Sequence, residues 1–299
     1  MAARHPILRG FGILALAMLV FFVAVFFYAY FKGGEEGVLT MVGGDTVGIV
    51  ELQGAIDDSR EAIESLKRFA EAPAVKAVVI RIDTPGGAVA PVQEIYSEVE
   101  KLKKKKPVVA SMGSMATSGG YYVAAACQQI VANPGTLTGS IGVIMELGNV
   151  EELLKKIGVK GSNIKSGPHK DIGSPYQPLT AEGKEILQSL VDNVHSQFVT
   201  AVAKGRNLPE AKVRALADGR VYSGEQAKKL GLVDVMGNLE DAIELVARRA
   251  GIKGEPRVLF ARREDKYWWQ KFLFSFVGKE LAHRMAWGLR YEWSPSFIR

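Results

Sequence analysis

Apolar runs rich in β-branched residues alternate with amphipathic segments along most of this chain. This alternation constrains the fold more than any other feature of the sequence. Strand-like runs lie at 46–56, 75–83 and 107–113, and helical patterns at 59–72 and 91–106 separate them. The run 75–83, VKAVVIRID, is nearly continuous in apolar residues, which is typical of a strand buried on both faces. Alternating strands and helices predict an α/β fold with a mostly parallel sheet.

The second half of the chain is predicted to be mainly helical. A long helix is expected at 180–205, followed by short helices at 209–217 and 223–231 and a closing helix at 238–250. Apolar residues recur at helical spacing in the long helix, and they form a stripe that faces either the core or a partner, with the core favoured. The stripe consists of Ile186, Leu187, Leu190, Val191, Val194 and Phe198.

Residues 10–31 form a stretch of 22 residues without a charge. As a helix this stretch would be about 33 Å long, against about 30 Å of bilayer hydrocarbon. The core of a cleaved signal peptide is shorter and ends at small residues, whereas this stretch ends in bulky aromatics. We therefore expect a retained transmembrane helix. Arg4 and Arg9 precede it, so the positive-inside rule places the N-terminus in the cytoplasm and the rest beyond the inner or plasma membrane.

Five segments follow from these patterns. They are a cytoplasmic N-terminus (1–9), a transmembrane helix (10–31), a linker (32–45), an α/β domain (46–251) and a C-terminal tail (252–299). The tail holds all four tryptophans and ten Lys and Arg residues against five Asp and Glu. Basic residues with aromatics suit a helix on a membrane surface, and a helix packed on the domain or a neighbouring subunit is an equal alternative.

Composition argues against several classes of function. The formal net charge is +6, but Arg4, Arg9 and Lys32 supply half of it, so no global basic field indicates a nucleic-acid partner. The single cysteine, Cys127, allows neither an intramolecular disulfide nor a cysteine-based zinc site, and it lies in an apolar run typical of core. The four histidines are scattered without metal-ligand spacing. We expect no metal and no cofactor.

The stretch 112–122, MGSMATSGGYY, joins a strand-like run to a helical run through paired glycines. Ligands of α/β proteins bind where a strand meets a helix N-terminus, and the free amides there attract anions. Ser118 is therefore placed as a nucleophile, with the Gly119 N–H as an oxyanion donor. Ser111 and Ser114 are weaker candidates. Alone, such a turn more often serves as a helix cap that allows close packing.

A second glycine-rich turn strengthens the case for catalysis. The run 82–87, IDTPGG, ends the buried strand that precedes this one. Neighbouring parallel strands end on the same side of a sheet, so the backbone of Gly87 can supply a second donor. Two donors beside one serine suit acyl transfer, in which amides must lie about 3 Å from a developing oxyanion.

A serine hydroxyl needs a base to become nucleophilic. His195 lies within the long helix and has no obvious partner to orient it. Lys170 lies in a polar loop at 164–175, IKSGPHKDIGSP. A lysine serves as a general base once burial lowers the pKa of its ammonium. From composition alone, Lys170 is one candidate among many and could equally be a solvated loop residue.

Four motifs together resemble the signal peptide peptidase A family of membrane-bound serine peptidases. They are MGSMATSGGYY, TLTGSIGVIME, IKSGPHKDIGSP and DGRVYSGEQAKKLGLVD, within about 46–245. The resemblance implies a Clp/crotonase-like fold of repeated ββα units that carries a Ser–Lys dyad. It makes Ser118 the nucleophile, Lys170 the general base, Ser140 the residue that orients the lysine, and DTPGG the oxyanion loop. The tail beyond 252 has no counterpart in this pattern.

The resemblance also implies an oligomeric ring or dome in which adjacent protomers contribute the serine and the lysine. It points to peptide substrates, in particular remnants of signal peptides left in the membrane, and a membrane anchor agrees with such substrates. Two alternatives remain. A scaffold that binds peptides without cleaving them would not need an intact Ser118, Ser140 and Lys170. A crotonase-like thioester enzyme would use the same oxyanion geometry, but it would bind coenzyme A and not need Ser118.

Overall fold

A computed structural model describes residues 18–23 and 45–261, together with the backbone of 290–292. Residues 18–23 are helical and exposed. The rest of the predicted membrane helix (10–31), the first nine residues, most of the linker (32–45) and most of the tail (252–299) lie outside this description. Within the described ranges, no helix combines the length and the apolar character needed to cross a bilayer.

Ten strands occur in the described residues. In chain order they are β1 (Thr46–Gln53), β2 (Val75–Thr84), β3 (Gly86–Ala88), β4 (Val108–Thr117), β5 (Gln129–Ala132), β6 (Leu137–Gly139), β7 (Val221–Ser223), β8 (Val235–Met236), β9 (Arg257–Phe260) and β10 (Arg290–Glu292). β3 and β10 form a separate antiparallel pair.

Eight helices lie between residues 45 and 261. They are α1 (Arg60–Glu71), α2 (Val89–Leu102), α3 (Gly119–Ala126), α4 (Glu151–Lys156), α5 (Ala181–Arg206), α6 (Glu210–Leu216), α7 (Gly224–Leu230) and α8 (Leu239–Arg249). All the helices expected within residues 46–251 are present with small shifts at their ends, and α4 was not expected.

The main sheet has the order β7-β6-β4-β2-β1-β9, and β5 pairs with both β4 and β8. Every pairing in this sheet is parallel except that of β6 with β7. The prediction of an α/β fold with a mostly parallel sheet is therefore confirmed. β4 is long enough to pair with β5 near its start and with β6 at its end, which brings the β4 and β6 termini together.

β2 lies at the centre of the sheet and is buried on both faces, as its apolar sequence predicted. Val78, Ile80 and Ile82 enter the larger core cluster, which also contains residues of α1, α2, α3 and α5. Ala77 and Val79 alternate with them and enter a smaller cluster that is closed by α8. Helices on both faces leave the carboxyl ends of the strands as the open edge of the sheet.

Ser59 is the residue before α1, and serine is a common N-cap, but its side chain makes no capping bond. Its backbone has a helical ψ of −18°, which departs from the extended conformation of a capping residue. The hydroxyl instead donates to the carboxylate of Glu94 in α2. This tertiary contact, which the local sequence does not encode, replaces the local cap.

The stripe on α5 divides into two parts. Val194 and Phe198 are buried in the core, but Ile186 and Leu190 are 42% and 45% exposed. The assignment of the whole stripe to the core is therefore wrong for the N-terminal half of the helix. The C-terminal half packs closely on α3, where a Cβ built at Gly205 would lie 1.9 Å from the carbonyl oxygen of Ala125.

We expect Gly205→Ala to destabilise the protein by about 1–3 kcal/mol, because the new methyl forces α5 away from α3. The direction of the change in stability is informative, because a glycine-to-alanine change in an exposed helix would stabilise the helix by about 0.5–1 kcal/mol. Urea unfolding of both proteins measures the difference. Gly135→Ala is the control, because a Cβ at Gly135 meets nothing within 4 Å. Equal midpoints for the wild type and Gly205→Ala would contradict this packing.

Candidate active site

Ser118 joins β4 to α3 in an unusual backbone conformation. Its φ of 51° and ψ of −113° lie where side chains are rarely tolerated, at a cost of about 1–3 kcal/mol. Two hydrogen bonds maintain the turn. The Ser118 N–H donates to the Gly139 carbonyl at 2.8 Å, and the Ser118 carbonyl accepts from the Tyr122 N–H at 2.9 Å. A strained serine between a strand and a helix is the arrangement of a nucleophile elbow.

The Ser118 side chain is buried and its hydroxyl has no hydrogen-bond partner among the described residues. The residue is 1% exposed, and its Oγ is inaccessible to solvent. An unpaired buried hydroxyl costs roughly 1–3 kcal/mol, and native proteins rarely leave one without a reason. The adjacent Thr117 hydroxyl is also buried and unpaired. This end of β4 therefore holds polar groups that have no partners among the residues that the structure describes.

Helix α3 begins at Gly119, so the Gly119 amide is the first of the helix. The first amides of a helix have no acceptor within it, and they point outward beside the Ser118 side chain. Gly120, the next residue, packs against β2: a Cβ there would lie 2.6 Å from the Thr84 Cγ2. The start of α3 is thus pressed onto the end of β2, where the second glycine-rich turn begins.

Gly87 lies in the middle of β3, and Ile56 occupies one side of that strand. The Gly86 carbonyl accepts from the Ile56 N–H at 2.8 Å, and the Ala88 N–H donates to the Ile56 carbonyl at 2.9 Å. Successive peptide groups of a strand face opposite sides, so the N–H and carbonyl of Gly87 face away from Ile56. A Cβ at Gly87 would lie 2.2 Å from the Ile56 oxygen, so only glycine fits.

Ser140 lies beside Ser118 at the end of β6. It follows Gly139, whose carbonyl binds the Ser118 N–H, and its own N–H donates to the Arg220 carbonyl at 2.8 Å. Ser140 is 6% exposed and has a φ of 49°, so both serines occupy buried, strained positions. The structure therefore brings Ser118, Gly119 and Ser140 together at the carboxyl edge of the sheet.

Lys170 lies elsewhere, on a turn in the segment between α4 and α5. Its side chain is exposed, and its N–H donates to the Gly167 carbonyl at 3.3 Å. The neighbouring Asp171 accepts from Lys165 at 2.7 Å, and this bond holds the pKa of that carboxyl below its usual range. The Ser118 hydroxyl has no partner among the described residues. It therefore makes no hydrogen bond with Lys170 of the same chain.

The structure places the other candidate residues away from any bond with the Ser118 hydroxyl. Ser111 is buried, and its hydroxyl accepts from Arg81 at 3.1 Å, whereas Ser114 is exposed. His195 lies on α5 with its Nε2 buried and unpaired. None of these three residues bonds the Ser118 hydroxyl, which has no partner in the described part of the chain.

Cys127 is buried at the end of α3, in agreement with its assignment to the core. Burial raises the pKa of its thiol to about 12, so the thiolate needed for reaction is scarce near neutral pH. In the part of the chain that the structure describes, no group of three or more His, Cys, Asp or Glu side chains is arranged to hold a metal ion.

Two features of the site were not found from the sequence. Thr84 contacts both glycine-rich elements through its hydroxyl and its methyl group. β10 pairs with β3 in antiparallel fashion, with Tyr291 opposite Gly87. The DTPGG motif marked the turn but not the role of its threonine, and nothing in the tail sequence indicated a strand.

Known proteins with similar sequences include several peptidases. The chain is 48% identical over 204 residues to "Putative protease slr0021" of Synechocystis sp., covering 68% of this chain and 74% of that protein. It is 42% identical over 183 residues to "Putative signal peptide peptidase SppA" of Enterococcus faecium, covering 61% and 53%. It is 36% identical over 220 residues to "Protease 4" of Salmonella typhi, covering 70% and 35%.

The family model described as Peptidase family S49 matches residues 100–253, which is just over half of the chain. This range contains Ser118, Ser140 and Lys170, and it includes all four motifs on which the resemblance was based. The chain is therefore a member of peptidase family S49, which confirms its resemblance to the signal peptide peptidase A family.

Proposed function

We propose that this protein is a serine endopeptidase whose nucleophile is Ser118 and whose general base is Lys170. The observation that carries the proposal is the Ser118 side chain itself. It is held in a strained turn at the start of α3, with a buried hydroxyl that has no partner in the described ranges. Strain and an unsatisfied buried group are both costly, and they persist together where function requires them.

In this reaction the neutral amine of Lys170 removes the Ser118 proton as Oγ bonds to the peptide carbonyl carbon. The tetrahedral oxyanion is stabilised by the amides of Gly119 and Gly87. The Lys170 ammonium then donates its proton to the leaving nitrogen as the carbon–nitrogen bond breaks. Water hydrolyses the resulting acyl-enzyme, again with Lys170 as the base. Ser140, adjacent to Ser118, orients the Lys170 side chain through its hydroxyl.

A second copy of this chain is the proposed source of the lysine. Lys170 is exposed within one chain, so water solvates its side chain. Apolar side chains of α4 and of the segment that follows it are also uncovered, because Leu153, Ile157 and Ile164 are each more than half exposed. Together with Ile186 and Leu190 of α5, they are exposed apolar side chains of the kind that a subunit interface would cover. Docking there would desolvate Lys170 beside the neighbour's Ser118.

The finer details of fold, location and substrate complete the proposal. The sheet topology is consistent with a Clp/crotonase-like arrangement of ββα units in a domain at 46–251. The uncharged stretch at 10–31 supports a single membrane anchor with the catalytic domain on the extracytoplasmic side. Remnant signal peptides are the proposed substrates, because one relative is named as a signal peptide peptidase and an anchored site would lie close to them.

We propose that substrates bind as extended strands along β3. Support comes from β10, a segment of the chain's own tail, which already pairs with β3 in antiparallel fashion. Tyr291 lies opposite Gly87, whose N–H and carbonyl face β10. Main-chain pairing with an open strand edge accepts many sequences, as a peptidase of varied substrates requires. β10 must leave before a peptide can occupy the same edge.

We expect Tyr291→Pro to lower KM for peptide substrates by about three- to tenfold without changing kcat, because proline lacks the N–H that pairs with the Gly87 carbonyl. The net value of one hydrogen bond sets this range. Steady-state kinetics of the full-length protein measure the effect. Tyr291→Ala keeps the N–H and controls for loss of the side chain. Binding of substrates along β3 would be contradicted if the KM of Tyr291→Pro equalled that of the wild type. It would also be contradicted if Tyr291→Ala lowered KM by the same factor.

Hydrolysis of an internally quenched peptide by the purified full-length protein tests the proposed function. We expect cleavage at an internal peptide bond without added metal or cofactor. Peptide that binds but stays intact would indicate a scaffold. Turnover of an acyl-coenzyme A instead of the peptide would indicate a thioester enzyme.

A further inference from the structure

Thr84 is the last residue of β2 and lies between the two glycine-rich elements of the site. It is 1% exposed and sits opposite Ala116 of β4, two residues before Ser118. Its hydroxyl and its methyl group contact different parts of the protein. These contacts are the only means by which this side chain could act, because it is not exposed to a bound peptide.

The hydroxyl of Thr84 holds β3. It accepts a hydrogen bond from the Gly86 N–H at 3.0 Å and donates its own proton to the carbonyl of Gly54, in the turn that follows β1. Gly86 has a φ of 109°, a conformation open to glycine but not to other residues at low cost. A side chain that binds this amide therefore fixes the direction in which β3 leaves β2, and with it the Gly87 N–H.

The methyl group of Thr84 holds α3. Its Cγ2 would lie 2.6 Å from a Cβ built at Gly120, and the Ile82 Cγ2 would lie 3.2 Å from it. Gly120 therefore rests directly on the threonine, and the Gly119 amide precedes this contact by one residue. The same small side chain thus contacts the elements that carry both proposed oxyanion donors.

We infer that Thr84 is a positioning residue that sets the spacing between the Gly87 and Gly119 amides. This inference rests on the proposed function and extends it to a residue that does not touch the substrate. The hydroxyl fixes the β3 side of the oxyanion site and the methyl fixes the α3 side. Because both donors must meet one oxygen, a shift of either weakens stabilisation of the transition state more than binding of the ground state.

Thr84→Val removes the hydroxyl and keeps the shape. We expect the kcat per titrated active site to fall by about 10- to 100-fold. The KM should stay within about twofold of the wild-type value. Affinity for a peptide aldehyde, which forms a tetrahedral adduct, should fall by a similar factor. Thr136→Val is the matched control, because the buried Thr136 hydroxyl binds the Gly113 carbonyl away from both donors. It should keep the wild-type kcat.

A double variant tests the role of the Thr84 methyl group independently. It also tests the positioning role of Thr84 if Thr84→Val does not fold. Gly120→Ala alone should lower kcat by about 10- to 100-fold, since the new methyl meets the Thr84 Cγ2. Gly120→Ala combined with Thr84→Ser should return kcat to within about threefold of the wild type, because serine lacks that methyl.

A wild-type kcat in Thr84→Val, or no recovery in the double variant, would overturn the positioning role. Equal losses in Thr84→Val and Thr136→Val would also overturn it, because they would show a general effect of removing a buried hydroxyl. Wild-type enzyme and Ser118→Ala are assayed in parallel. If the wild type cleaves no peptide, or Ser118→Ala is as active as the wild type, the proposed function itself has failed, and this outcome is distinct from the others.

Discussion

Ser118→Ala should lower kcat for peptide hydrolysis by about 10⁴- to 10⁶-fold, the range found when a nucleophile or its partners are removed from serine peptidases. The reason is chemical, because alanine has no oxygen to form the acyl-enzyme. Binding should survive, since the Gly119 amide and β3 remain. The measurement is steady-state hydrolysis of a quenched peptide, together with the affinity of a non-cleavable analogue.

Stability distinguishes loss of the nucleophile from loss of the fold. The Ser118 hydroxyl is buried and makes no hydrogen bond to the described part of the chain, so its removal should not lower the melting temperature. Ser118→Gly should raise the melting temperature, because glycine accepts a φ of 51° without strain. The role of Ser118 would be contradicted if Ser118→Ala unfolded at a lower temperature than the wild type. It would also be contradicted if Ser118→Ala kept more than a hundredth of the wild-type activity.

Lys170→Ala should lower kcat by about 10²- to 10⁴-fold, the usual contribution of a general base. Lys170→Arg is the control, because guanidinium keeps the charge but does not give up its proton. It should be as inactive as the alanine variant. Recovery of activity in the arginine variant would show that charge alone is needed and that Lys170 is not the base.

The pH dependence of peptide hydrolysis is a second test of Lys170 as the general base. Only the neutral amine can accept the Ser118 proton, so activity should be low in acid, where the amine is protonated, and should rise into the alkaline range. The residual activity of Lys170→Ala should lack this rise. A wild-type profile that is flat between about pH 5 and 9 would count against a lysine base.

Mixed oligomers test the sharing of the site between protomers. Lys170→Ala chains keep Ser118, and Ser118→Ala chains keep Lys170. If one protomer supplies each group, co-assembly of the two inactive variants in equal amounts should restore about a quarter of the wild-type activity. If both groups come from one chain, the mixture should stay inactive. An active monomer in solution would also contradict a shared site.

The sequence was sufficient to predict the layers of the fold because the layers follow from local patterns. β2 is apolar on both faces and lies at the centre of the sheet, and α5 extends over nearly the full predicted length. The exposed half of α5 was misassigned because an apolar face can show helical spacing whether or not the core covers it. Periodicity shows that a face is apolar but not what covers it.

The site could be predicted only in part for a similar reason. Ser118, Gly119 and Ser140 come together because β4 and β6 are neighbours, whereas the sequence pointed to Ser140 only through its resemblance to a known family. The pairing of Tyr291 with Gly87 joins residues far apart in sequence and depends on no residue type. Thr84 acts through backbone groups of Gly86 and through Gly120, so only coordinates reveal its contacts.

The most direct test of the central claim is to identify the residue that a fluorophosphonate peptide modifies, by mass spectrometry of proteolytic fragments. The account predicts one adduct per active site on the Ser118 oxygen. It also predicts labelling that is slowed strongly in Lys170→Ala and absent in Ser118→Ala. Stoichiometric labelling of another residue, or undiminished labelling of the Ser118→Ala variant, would contradict the account.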